Sequence, residues 1–158
     1  LFAIIASPLW SATTDAYTKG DWDWIRRAMR KMNMLLVVSV AFVMLMIVVA
    51  PLFYHLWIGD KVEVELSLNI MMAIYSYMLV VSNSYSYILM GIGKIRMILI
   101  VTVSEMIIFV PIEYFACKYV GTTGLLTSLI LSTAICAILN NMQLKYLSLG
   151  KAKGIWNR

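Results

Sequence analysis

The residue best placed to do chemistry is Glu105, a carboxylate near the middle of the long apolar run 97–117. An ionised carboxylate at bilayer depth costs at least about 2.5–3.5 kcal/mol on insertion scales, so it requires a partner, a proton or water. Glu105 reads as a cation-coupling or substrate-cavity residue in preference to a strut against a neighbouring helix. Asn69, Ser76, Asn83 and Tyr87, spaced seven, seven and four apart, fall on one helical face. Such a stripe either lines an aqueous cavity or hydrogen-bonds other helices. The Ser-Asn-Ser-Tyr-Ser-Tyr run at 82–87, polar on every face, favours the cavity. Arg26, Arg27, Arg30 and Lys31 form a third group, suited to headgroup phosphate or a lipid diphosphate.

Other chemistries lack their residues. There is one His, no Ser-His-Asp arrangement and no glycine-rich phosphate loop, so the chain reads as no enzyme and has no catalytic residue. His55 has no His, Cys or suitably spaced carboxylate near it in sequence, which argues against a metal site. Cys117 and Cys136 lack metal or redox spacing and read as packing residues. No cofactor is expected beyond H+ or Na+ as a coupling ion.

The elements that must position these groups follow from composition. Hydrophobic residues make up 62% and charged residues 13%, against about 25% charged in a soluble domain. Mean hydropathy is +0.85. The expected fold is all-α, a polytopic transmembrane helix bundle. Runs 34–57, 66–90, 97–117 and 124–144 each meet the length needed to cross the hydrocarbon. A barrel would need short alternating segments, whereas 35–51 is almost continuously apolar. The opening apolar stretch is short and begins at Leu1, so residues 1–14 read as a truncated span.

Between 15 and 33 the pattern is amphipathic, with Trp22, Ile25, Met29 and Met32 at helical spacing and Asp21 as N-cap. This predicts a cytoplasmic elbow in the interface, its Trp at headgroup depth. Pro111 is expected to interrupt the third span around Ile107. Asn140, Asn141 and Gln143 sit at the end of the last span, where headgroup solvation is the default reading, and 145–158 forms a basic tail.

The net charge of +5 does not point to nucleic acid, because the basic residues lie only between or beyond apolar runs. Lys19, Arg26, Arg27, Arg30, Lys31, Lys94, Arg96, Lys145, Lys151, Lys153 and Arg158 fall on one side of the alternating spans; Lys61 and Lys118 fall on the other. The positive-inside rule places the first set in the cytoplasm, the 59–65 loop outside and the C-terminus inside.

Several stretches resemble the polysaccharide and O-antigen flippases (Wzx type) of the multidrug/oligosaccharidyl-lipid/polysaccharide exporter superfamily, almost end to end. They are Pro8-Leu9-Trp10-Ser11-Ala12 with Tyr17, Lys19-Gly20-Asp21 and Trp24-Ile25; the turn Gly91-Ile92-Gly93-Lys94-Ile95-Arg96; the turn around Gly121 and Gly124; and Gln143-Leu144-Lys145 with Gly154-Ile155-Trp156-Asn157. Asn140 stands where many relatives have Pro, and Glu105 matches no functional motif of the family. The resemblance implies a C-terminal lobe of a two-lobed, MATE-like transporter in a bacterial inner membrane. It further implies undecaprenyl-diphosphate-linked oligosaccharide as cargo, moved by alternating access. Implied partners are the lipid bilayer, a missing N-terminal lobe of the same polypeptide, a polysaccharide polymerase and glycosyltransferases. The rival readings are a MATE-type multidrug/cation antiporter and a non-transporting membrane anchor or assembly subunit.

Overall fold

The structure is a computed structural model that describes residues 2–59 and 64–157. The chain is all-α, with helices α1 (Phe2–Thr18), α2 (Trp22–Ile58), α3 (Leu66–Ile92), α4 (Arg96–Val120) and α5 (Thr122–Ser148). A single 3₁₀ turn, Gly154–Asn157, closes the described tail. Helices α2 to α5 are each long and apolar enough to cross a membrane, as the four expected spans require. The 59–65 loop expected outside includes residues 60–63, which lie outside the described residues.

The centre of the arrangement is α3, which contacts α1, α2 and α5, while α4 packs mainly on α5. Short connections bring the C-termini of α1, α3 and α5 and the N-termini of α2 and α4 to one end. The buried core sits at that same end: Ala16, Ile25, Leu36, Tyr85, Ile88, Leu89, Ile92, Leu144 and Leu147 form one cluster. Towards the opposite end the helices present apolar side chains outward, among them Phe42, Val48, Phe53, Trp57, Ile107 and Tyr119. Outward apolar faces of this extent suit a hydrocarbon solvent, which does not reward burial as water does.

Three helices stop sharply at the shared end. At the close of α3, Gly93 takes φ 77°, a left-handed conformation that only a residue without Cβ adopts readily. Its N–H donates to Met90 O at 3.1 Å while Lys94 N–H donates to Leu89 O at 3.2 Å, the paired bonds of a Schellman cap. The same pairing closes α1 at Gly20 and α5 at Gly150. At the start of α2, Asp21 Oδ1 accepts from Trp24 N–H at 2.8 Å, the N-cap expected from sequence.

The interfacial elbow takes a different form. Residues 22–33 are not a separate surface helix but the first third of α2, which runs unbroken for 37 residues. At about 1.5 Å per residue that is about 55 Å, well beyond a hydrocarbon core of about 30 Å. The amphipathic face is real, yet it packs on protein: Ile25 and Met32 are buried, and Trp22, Trp24 and Met29 lie against the core. The 8–12 motif lies inside α1, and the chain turns at Gly20 instead. Pro111 does not interrupt α4, which continues through it to Val120. A single missing N–H is tolerated when the helix on both sides is otherwise intact.

The α1–α3 crossing is unusually close. A Cβ on Gly91 would lie 2.6 Å from Thr13 Cβ and 2.8 Å from Trp10 O. Gly91→Ala should therefore push the two helices apart and cost about 1–3 kcal/mol. The check is the unfolding midpoint in detergent, which should fall; an unchanged midpoint would mean the contact is not as close as described.

Candidate functional site: a polar track between α3, α4 and α5

Along α5, Gly124, Ser128, Ser132, Cys136 and Asn140 recur every fourth residue. Four residues advance about 400°, so such a row drifts by about 40° per step and cannot face one neighbour throughout. The structure uses this drift. Gly124 lies against α4, where a Cβ would meet Ala116 O at 2.6 Å. Two turns on, Ser132 Oγ donates to Glu105 Oε1 of α4 at 2.9 Å. By Asn140 the row has turned to α3: Asn140 Nδ2 donates to Ser86 Oγ at 2.9 Å, and Ser86 donates in turn to Ser82 O at 3.0 Å. Cys136 Sγ lies between, 3.6 Å from Asn140 Nδ2.

The track ends where the tail folds back. Gln143 Nε2 donates to Lys94 O at 3.2 Å and to Trp156 O at 3.3 Å. Lys94 Nζ donates to Asn157 O at 2.8 Å, and the Tyr146 and Trp156 rings meet edge to face with centroids 5.6 Å apart. Asn140 and Gln143 are fully buried, so the headgroup-solvated reading of these two is corrected. Asn141 alone of the three faces outward. Their amide orientations are fixed by these acceptors, which leaves Asn140 Oδ1 and Gln143 Oε1 with no donor from the described residues. Each retains full capacity to accept from a water or a mobile donor.

Glu105, the leading candidate from sequence, is thus placed at this track, half-buried, with a hydroxyl partner from α5. Of the other candidates, Asn69 and Ser76 line one cleft between α2 and α3, while Asn83 and Tyr87 do not join them. Asn69 is buried at the α2–α3 contact, where Nδ2 donates to Ile47 O at 3.2 Å. Ser76 lines a cleft of about 640 Å³ between α2 and α3, whose walls are mainly apolar. Asn83 points outward and Tyr87 is half-buried. The 82–87 run serves packing: Ser82, Ser84 and Tyr85 are buried, Ser84 bonds back to Val80 O at 2.6 Å, and Tyr85 OH reaches Asn33 Oδ1 at 3.3 Å.

The basic group divides as well. Arg26 donates to Ser148 O at 3.1 Å, capping α5, and to Asp23 at 2.9 Å. Arg27, Arg30 and Lys31 are exposed on the α2 base, with Arg27 and Lys31 beside α1 and away from the track. No cluster of three His, Cys, Asp or Glu side chains that could hold a metal ion occurs among the described residues.

The missed residues carried a readable signal. A small or polar side chain every fourth position on an apolar helix marks a helix–helix contact in a bilayer, and Gly124 to Asn140 is such a row.

Fold and track together define a polytopic α-helical membrane protein with a polar seam inside its bundle. No protein-family model, curated protein or solved structure matches this chain.

The Asn140–Ser86 bond should be measurable as a coupling. In a double-mutant cycle of Asn140→Ala and Ser86→Ala, unfolding in detergent or bilayer should give about 0.6–1.7 kcal/mol of interaction. Strict additivity of the two variants would remove the bond from the account.

Proposed function

We propose that the chain is a lobe of a membrane transporter that moves a lipid-linked oligosaccharide across a bacterial inner membrane, as the resemblance to Wzx-type flippases implies. The observation that carries the reading is Glu105, a carboxyl within a membrane-length helix, held by Ser132 two turns along α5 from the Asn140–Ser86 bond. A group so costly to insert is characteristic of ion coupling or of a substrate path. A second lobe would complete the cavity, and Glu105 would couple its opening to H+ or Na+ by changing what it binds on each side. Arg26 is exposed but engaged by Ser148 O and Asp23, so the diphosphate contact expected of it from sequence is left out of the proposal.

The complete burial of Asn140 and Gln143 favours a second reading, in which the track only fastens helices and the chain is an anchor or assembly subunit. Transport separates the two. In proteoliposomes of the full-length protein, Glu105→Gln should slow translocation of a fluorescent lipid-linked oligosaccharide at least about tenfold, with normal insertion. Unchanged transport would remove Glu105 from the mechanism, and no transport by the wild type would favour the anchor.

The proposal includes orientation, with the basic end and C-terminus in the cytoplasm. A green fluorescent protein fused after the tail should be fluorescent and an alkaline phosphatase fusion there inactive. The opposite pair of results would invert the topology.

A further inference from the structure

A second cleft, of about 290 Å³, lies between α1 and the base of α2. Arg27 and Lys31, one turn apart on α2, supply its charge; Leu9, Met32 and Leu35 supply apolar wall, and Trp24 lines it as well. No carboxylate lines the cleft. The nearby acids are already engaged: Asp23 pairs with Arg26 at 2.9 Å and Asp15 with Lys19 at 2.7 Å. Among the described residues, neither Arg27 nor Lys31 makes an ion pair.

The order of these groups along α2 is what identifies the ligand. Trp24, Arg27 and Lys31 lie towards the basic end, where α2 outreaches the hydrocarbon; Leu35 belongs to the outward apolar face that begins at Met34, and Met32 is the buried floor beside it. A cleft with cations at one end and, at the other, an apolar wall that includes the exposed Leu35 matches an amphiphile with an anionic head. A soluble anion would use the cations and leave the apolar wall idle.

We infer that this cleft binds one anionic phospholipid, with its phosphate on Arg27 and Lys31, Trp24 beside the headgroup and an acyl chain along Met32 and Leu35. The inference is independent of the transport reading, since the cleft lies on the α1–α2 side and the polar track on α3, α4 and α5. The lipid would bridge two helices that otherwise meet mainly through the core at the Gly20 turn, so it would also fix α1 against α2.

The test titrates the full-length protein in detergent with phosphatidylglycerol, phosphatidylcholine and water-soluble glycerol phosphate. Phosphatidylglycerol should bind saturably, one per chain, about tenfold or more tighter than phosphatidylcholine, since each cation near the surface contributes to anionic selection. Arg27→Gln with Lys31→Gln should abolish that preference, whereas Arg27→Lys with Lys31→Arg should keep it. Equal binding of the two lipids, or glycerol phosphate binding as tightly as phosphatidylglycerol, would overturn the inference. So would an undiminished preference in the Gln variant. Should the Gln variant fail to fold, the wild-type ligand comparison decides alone.

Discussion

A polar side chain surrounded by hydrocarbon has no solvent to fall back on, so its partner must be another part of the protein. The α3–α5 contact is organised by that requirement. Asn140 and Gln143 are both fully buried, and their amide N–H groups find acceptors only if Ser86 and the carbonyls of Lys94 and Trp156 stand where they do. Fixing α5 against α3 in this register sets the remaining helices. The drift of the small-residue row turns Ser132 and Gly124 to α4, and Gly91 on α3 admits α1 at near-contact distance. The apolar surfaces alone would not select this arrangement, because lipid tails are as good a neighbour as another helix.

The basic residues serve this end of the molecule in more than one way. Helix C-termini carry unpaired carbonyls and partial negative charge, and α1, α3 and α5 all finish here. Arg26 reaches the last carbonyl of α5, and Lys94, just past the end of α3, reaches the carbonyl of Asn157 in the tail. Charges that the positive-inside rule would count as topology signals are thus also structural donors. Arg27 and Lys31 are the pair left facing a cleft instead of a carbonyl.

The sequence was most informative where a single element determines its own fate. Spans follow from local hydropathy, and Asp21 as a cap follows from local backbone chemistry. It was least informative about azimuth, the direction a side chain takes relative to neighbours not yet placed. Asn140 and Gln143 are near a helix end in sequence, which suggested headgroups, yet they point into the bundle. Ser76 and Asn83 lie on one helical face with Asn69, but only Asn69 meets a neighbour closely enough to be buried. Helix continuity was the other blind spot. The composition changes near residue 33 because the surroundings change from core and interface to hydrocarbon, while the backbone of α2 does not change at all.

That unbroken backbone makes α2 a cantilever. Its base is clamped by Ile25, Met32 and Leu36 in the core, and Tyr77 OH adds a bond to Leu36 O at 3.3 Å. Beyond the clamp the described hold on α3 is Asn69 at Ile47, and the side chains between lean on an open cleft. From Leu36 to Trp57 the arm measures about 32 Å, so a tilt of about 10° at the clamp that stretched the Asn69 bond would carry its tip about 5–6 Å. Pro51 withholds the N–H that would bond Ile47 O, the carbonyl that Asn69 takes, so up to that point small repacking at the base sets the width of the α2–α3 cleft.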